Sequence, residues 1–233
     1  MRVAIIPARG GSKRIPRKNI TPFQGVPLVA YPIRMAVSSG LFEHVIVSTD
    51  DDEIASIAEH YGATVPFRRP AELADDYAST DAVLAHALEQ CVRMLGDVDQ
   101  GCCIYPTPFI DAGDLRRGMD LLVANPGATS AFPLVAYDFP IEQAFTLDGQ
   151  QPHPRWPNLL DARSQDLTPH YHDAGMFYWC DVRRFLAAPR LFADDSVAFV
   201  IPRDRCQDIN TPEDWLQAEH KFIRLHDVLN DRP

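Results

Sequence analysis

The chain's 233 residues, 46% hydrophobic and 23% charged, have an ordinary globular composition and suffice for one α/β domain with a large core. A net charge of −10 argues against nucleic acid as a main partner, and no apolar run approaches the roughly 18–20 residues of a membrane span. The N-terminal apolar run is too short for a signal peptide, and five cysteines without a C-x-x-C fit a reducing cytoplasm better than a disulfide framework or zinc site.

Strand and helix signals alternate along the chain, which predicts a mostly parallel sheet covered on both faces. Residues 3–7 read as the first strand. It runs into Ala8-Arg9-Gly10-Gly11-Ser12-Lys13-Arg14-Ile15-Pro16-Arg17-Lys18-Asn19, where ten residues from Arg9 hold five cations, two adjacent glycines and no carboxylate. Such a loop suits a polyphosphate: glycines let backbone N–H groups approach phosphate oxygens, and Arg and Lys neutralise the charge. Neither G-x-x-x-x-G-K-[ST] nor G-x-G-x-x-G is present, so this is not an ordinary P-loop or dinucleotide fingerprint. Seven cations precede the first acidic residue, Glu43. A basic pocket in an acidic body suits a small anion better than a long polyanion, whose flanks would be repelled.

Residues 27–39 read as a helix ended by Gly40, with Pro32 deep enough to kink it. Residues 44–48 read as a strand. Asp50-Asp51-Asp52 resembles a metal cluster, but Asp51 and Asp52 serve equally as caps for a helix over 53–61, and they stay out of the metal set. A short strand over 64–67 leads to Arg68-Arg69-Pro70, on the rim where open α/β sheets bind ligands. A helix from Thr80 or Asp81 turns Val83, Leu84, Ala87, Leu88, Cys91, Val92 and Leu95 inward. A strand over 102–105, a helix over 115–123 and a strand over 129–135 follow. From 137 to 172 prolines cluster, Asp148-Gly149 signals a hairpin turn and helical periodicity vanishes, marking an inserted extended subdomain. Regular alternation returns with a strand over 174–180, a helix over 182–187 and a strand over 197–202. The last helix starts at Thr211, with Pro212 at N1 and Asp214 completing a near capping box.

Asp208-Ile209-Asn210 lies just before that helix. A spacing of two in extended chain puts both oxygen-bearing side chains on one side and Ile209 in the core, an arrangement able to offer oxygen ligands to Mg2+. A plain turn is the other reading, because Asp and Asn favour turns. In His170-Tyr171-His172-Asp173 no third ligand stands at a zinc spacing, so His172 and Asp173 read as substrate contacts or structural hydrogen-bonders. Phe177-Tyr178-Trp179 reads mostly as core. No nucleophile motif is present. A phosphate loop with an oxygen ligand pair points to phosphoryl or nucleotidyl transfer, where positioning and charge neutralisation do the catalysis.

The loop from Ile6 to Asn19 resembles the signature loop of the CMP–sugar-acid synthetases, the acylneuraminate cytidylyltransferases. Further ordered matches are Ser48-Thr49-Asp50-Asp51, Phe67-Arg68-Arg69-Pro70-Ala71-Glu72-Leu73, Ala78-Ser79-Thr80, Pro106-Thr107, Arg163-Ser164-Gln165-Asp166-Leu167 and Gln207-Asp208-Ile209-Asn210-Thr211. The run from Tyr171 to Trp179 looks most like the pseudaminic acid branch. The resemblance implies an α/β Rossmann-like nucleotidyltransferase three-layer sandwich, a single domain over 1–233, whose insertion at about 137–172 serves dimerisation and sugar binding in a homodimer. It implies Mg2+-dependent transfer of CMP from CTP to a nonulosonic acid with release of pyrophosphate. By that likeness Arg9, Ser12, Lys13 and Lys18 hold the triphosphate, with Ala8 and Gly10 beside it, while Asn19, Arg69 and Thr80 surround the cytidine. Tyr105, Arg163, His172 and Asp173 meet the sugar, with the neighbouring subunit one source of Arg163. Asp208 and Asn210 serve the metal; Arg9, Lys18 and Asp208 carry catalysis, and Arg14 and Arg17 are left as solvated cations. Two departures stand out. Asn210 replaces the usual second aspartate, implying weaker Mg2+ affinity, and Tyr105 replaces the glutamine common before Pro-Thr in sialic acid enzymes, which argues against N-acetylneuraminate. The competing readings are a synthetase for legionaminic acid, N-acetylneuraminic acid or Kdo, and a non-catalytic nucleotide-binding regulator.

Overall fold

The computed structural model describes residues 1–230. Strand β1 (Arg2–Pro7) is followed by a small hairpin, β2 (Pro22–Phe23) and β3 (Val26–Pro27), then α1 (Ala30–Ser39), β4 (His44–Ser48) and α2 (Asp52–His60). Next come α3 (Thr80–Leu95), β5 (Gln100–Ile104), α4 (Ala112–Ala124) and β6 (Ser130–Ala136). A hairpin, β7 (Phe145–Asp148) and β8 (Gln151–Pro154), precedes β9 (Tyr171–Asp173), β10 (Phe177–Asp181), α5 (Val182–Ala187), β11 (Val197–Val200) and α6 (Pro212–Asn230).

The main sheet has the order β11-β6-β10-β5-β1-β4, with β9 also on β6. β1 runs parallel to β4 and β5, β11 parallel to β6, and β10 runs antiparallel between β5 and β6. Because β1 is covered on both faces, its run Val3–Ile6 is fully buried, the continuous apolar signature of a central strand. Strand alternation splits that run between two layers. Ala4 and Ile6 join Ile33, Leu115 and Ala218 from α1, α4 and α6, while Val3 and Ile5 join Leu84, Leu88 and Phe185 from α3 and α5. The result is helix, sheet and helix. No helix among the described residues is long and apolar enough to cross a membrane.

Local chemistry explains most element ends. The Asp51 carboxylate accepts from the Glu53 and Ile54 N–H groups and caps α2. Thr211 and Asp214 cap α6 reciprocally, since Asp214 N–H donates to Thr211 Oγ1 and Thr211 N–H to Asp214 Oδ2. Each cap contributes about 1 kcal/mol. The helix expected over 27–39 begins at Ala30, because Pro22 and Pro27 pair in the β2–β3 hairpin. Pro32 is then the third helical residue, where an N–H has no intrahelical acceptor, so the reason for a kink disappears. The strand expected over 64–67 is reduced to isolated bridges at Thr64 and Arg68, with Pro66 between them unable to donate to a ladder. Val92 is exposed at the edge of the α3 stripe rather than inward.

The strand expected over 174–180 is broken. β9 and β10 flank the same edge of β6, and between them Gly175 takes φ 65, which interrupts the extended run. That break lies beside the end of β5, where Tyr105 N–H donates to Met176 O. Residues 137–170 leave the sheet as 3-10 turns and the β7–β8 hairpin, whose Gly149 sits at φ 57 just where Asp148-Gly149 signals a turn.

Candidate active site

A cleft of about 800 Å3 opens at the carboxyl ends of β1 and β5. Its lining includes Arg9, Ser12, Lys13, Lys18, Asn19, Arg69, Thr80, Tyr105, Asp173, Asp208 and Asn210, so one cavity gathers most of the residues singled out from the sequence.

The cationic loop forms one end. It is held by contacts that its own sequence does not reveal. Ala8 is fully buried and its N–H donates to Ser48 O, while the Gly10 N–H donates to Asp50 Oδ1 at 3.0 Å. A Cβ on Gly10 would stand 2.6 Å from Asp51 Oδ2, so this glycine is required by packing against the β4–α2 turn. Neither Ala8 nor Gly10 lines the cleft. Arg17, at φ 53, donates to both Asp51 oxygens and to Glu53. It is a strut rather than a solvated cation, and its hydrogen bonds hold the Asp51 carboxyl below the usual range. Buried Asn19 closes the loop on itself, its amide donating to Arg9 O at 2.9 Å.

Segment 207–210 forms the facing wall. Ile209 is buried while Asp208 and Asn210 face the cleft, as the alternation predicts. Lys18 Nζ donates to Ile209 O at 2.7 Å, and burial pulls its pKa below the ordinary lysine range, with Asp208 partly opposing. Arg14 also lines the cleft and donates to Asn210 Oδ1 at 2.8 Å, so it too is not simply solvated. Asn210 Nδ2 in turn donates to Asp208 Oδ2. Arg only donates and a carboxylate only accepts, which fixes the orientation of this amide.

The opposite end is a polar wall drawn from separate elements. Thr80 opens α3 and hydrogen-bonds Tyr105 just after β5. The Tyr178 hydroxyl on β10 donates to Asp173, whose second oxygen accepts from Gly175 N–H at 3.1 Å. Tyr105 and Tyr178 meet edge to face at 6.0 Å. Between the two ends lies Arg69, 6% exposed, with Nε 3.2 Å from Ser48 Oγ and NH2 on Ser48 O. Burial lowers its pKa, Asp50 opposes, and a guanidinium stays charged throughout.

Residues 3–107 match the cytidylyltransferase family. The pseudaminic acid cytidylyltransferase of Campylobacter jejuni subsp. jejuni is 41% identical over 214 residues, which cover 91% of this chain and 92% of that protein. The chain belongs to the cytidylyltransferase family. A Helicobacter pylori protein, pseudaminic acid cytidylyltransferase and UDP-2,4-diacetamido-2,4,6-trideoxy-beta-L-altropyranose hydrolase, is 34% identical over 89% of this chain and 40% of its own length. A CMP:2-keto-3-deoxy-manno-octonic acid synthetase complexed with CTP superposes with TM-score 0.70 at 14% identity, covering 96% of this chain and 99% of that one. The sheet and its helices are thus the Rossmann-like nucleotidyltransferase sandwich.

Besides Ala8 and Gly10, two further residues singled out from the sequence lie outside the cleft. Arg163 is exposed in the insertion and paired with Asp166 at 2.8 Å; it does not line the cleft. His172 also lies outside, its Nδ1 2.8 Å from Asp173 O and its ring 5.0 Å from Tyr137. Strand alternation explains this, since Asp173 and His172 point to opposite sides of β9.

Other lining residues escaped the sequence reading. Tyr178 belongs to a run of core aromatics, but period two separates it from Phe177 and Trp179, which pack in the other layer. Asp75 and Asp76 also line the cleft, and no local signal marks them. Arg9 NH2 lies 2.7 Å from Asp76 Oδ1 and Lys13 Nζ 2.7 Å from Asp76 Oδ2. Lys13 first and Arg9 second hold the Asp76 carboxyl below its usual range.

The donor set suits magnesium in one form. Among the described residues no group of three or more His, Cys, Asp or Glu side chains converges as a closed metal cage. Asp208 offers an exposed carboxylate beside the loop cations; the Asn210 amide nitrogen meets it, while the Asn210 oxygen accepts from Arg14 and becomes available to a cation only when that bond is released. One or two protein oxygens completed by substrate phosphates is the usual binding mode of Mg2+.

Proposed function

We propose that this chain transfers CMP from CTP to a nonulosonic acid of the pseudaminic type and releases pyrophosphate, as a Mg2+-dependent cytoplasmic homodimer. The observation that carries the reading is a single cleft with two unlike ends. Arg9, Lys13, Arg14 and Lys18 face Asp208 at one end, and hydroxyls with one carboxylate line the other. A polyphosphate fits the first and a hydroxyl-bearing sugar acid the second. The 41% identity to the Campylobacter jejuni enzyme supports the choice of sugar.

In this reading Arg9, Lys13 and Lys18 bind the triphosphate, and Arg69, Asn19 and Thr80 hold the cytidine. Asp173 and Tyr105 orient the sugar so that its anomeric hydroxyl attacks the α-phosphorus, with pyrophosphate leaving in line. Lys18 keeps donors beyond its bond to Ile209 O and neutralises charge on the phosphate oxygens. Asp208, joined by the Asn210 oxygen once it leaves Arg14, would hold Mg2+, which would supply Lewis-acid neutralisation of charge on the phosphate oxygens. Arg163 reaches a sugar carboxylate only in the second copy of a dimer, and the apolar groove of the insertion, lined by Tyr137, Phe139, Phe145 and Leu160, supports that assembly.

The test is pyrophosphate release from CTP with pseudaminic, legionaminic and N-acetylneuraminic acids and Kdo. The highest kcat/KM is expected with pseudaminic acid. A higher value with another acid moves the substrate assignment, and binding of CTP without release on any acid overturns the enzymatic reading.

A further inference from the structure

Residues 74–79 form a strap between Leu73 and α3, and its Asp75, Asp76 and Ala78 line the cleft. The Asp75 carboxylate folds this strap on itself, accepting from the Tyr77 and Ala78 N–H groups, each at 2.8 Å. That turn leaves Tyr77 94% exposed and aims the next carboxylate inward. Asp76 gives one oxygen to Arg9 and the other to Lys13, both at 2.7 Å. Arg9 is gripped further, its NH1 donating to Asp75 O at 2.5 Å. A single carboxylate therefore bridges two cations of the phosphate loop with two oxygens, as a phosphate group would.

We propose that Asp76 is the group a polyphosphate displaces from Arg9 and Lys13, and that this exchange sets the site's affinity for, and selectivity among, phosphate ligands. The inference rests on the reading of the loop as the triphosphate site. Binding breaks both Asp76 contacts and replaces them with phosphate contacts. A pyrophosphate or triphosphate has enough oxygens to replace both. A monophosphate engages fewer cations and leaves Asp76 beside it as a like charge, which opposes binding. After transfer, Asp76 reclaims Arg9 and Lys13 and so favours departure of pyrophosphate.

Isothermal titration with inorganic pyrophosphate and with CMP, on the wild type, Asp76→Asn and Asp76→Ala, tests this. Both variants are expected to bind pyrophosphate about tenfold more tightly and CMP by a larger factor, so that the preference for pyrophosphate narrows. Unchanged or weaker pyrophosphate binding would overturn the proposal, since Asp76 would then be holding Arg9 and Lys13 in place for the ligand. Two side chains are used so that a new bond from Asn, or a folding defect in one variant seen as a lowered melting temperature, leaves the other to decide. If the wild type releases no pyrophosphate from CTP with any sugar acid, the proposed function fails while this comparison still stands.

Discussion

The two ends of the cleft are built by opposite strategies. The cationic end comes from one contiguous loop whose charges are held by partners far away in sequence, such as Ile209 for Lys18 and Asn210 for Arg14. The polar wall comes from single residues on separate elements, Tyr105, Asp173 and Tyr178 for the sugar and Thr80 at its boundary with the cytidine, held in two hydrogen-bonded pairs, Thr80 with Tyr105 and Tyr178 with Asp173. A polyphosphate is recognised by charge density, which one segment supplies. A sugar acid needs directed donors and acceptors around a shape, which takes convergence of several segments.

If the ends are separable, changes at each should move different constants. The largest effect is expected from Lys18→Ala, which removes a half-buried cation of the phosphate end. It should lower kcat by about two orders of magnitude or more. A rate near that of the wild type in a pyrophosphate-release assay would remove Lys18 from the chemistry. At the other end Tyr178→Phe frees Asp173 from its hydroxyl donor. The KM for the sugar acid should rise about tenfold with that for CTP unchanged. A parallel rise in both would show that the ends are not separable.

Lys18 also predicts a pH signature. It is charged below its pKa, and burial has lowered that pKa, so its charge is lost at a lower pH than for a surface lysine. The kcat/KM for CTP, which reports the free enzyme, should therefore fall on the alkaline side before the ordinary lysine range is reached. A flat profile up to that range would contradict the assignment. The smallest change is expected from Asn210→Asp. It restores a second carboxylate beside Asp208 and should tighten Mn2+ binding, read by paramagnetic resonance with CTP present, by roughly threefold to tenfold. An unchanged titration would argue that position 210 is no ligand and serves only to link Arg14 to Asp208.

The same contrast explains what the sequence made legible. Features whose partners lie within a few residues were readable: the Asp51 cap, the Thr211 and Asp214 box, the inward Ile209 between Asp208 and Asn210. The loop's charge density was readable too, and likeness to a family named its nucleotide. What was not readable depends on the fold closing. Gly10 looked like a phosphate glycine but makes room for Asp51; Arg17 looked free but grips α2; Asp76 carries no mark of its bridge to Arg9 and Lys13. The break at Gly175 and the later start of α1 follow from register and from a short proline hairpin, which periodicity does not see.

The protein is incubated with CTP, pseudaminic acid and Mg2+, and the products are identified by mass spectrometry alongside pyrophosphate. The expected product is a CMP-linked sugar acid formed in equal amount with pyrophosphate. Pyrophosphate without the linked sugar, or no product from either substrate, would contradict it.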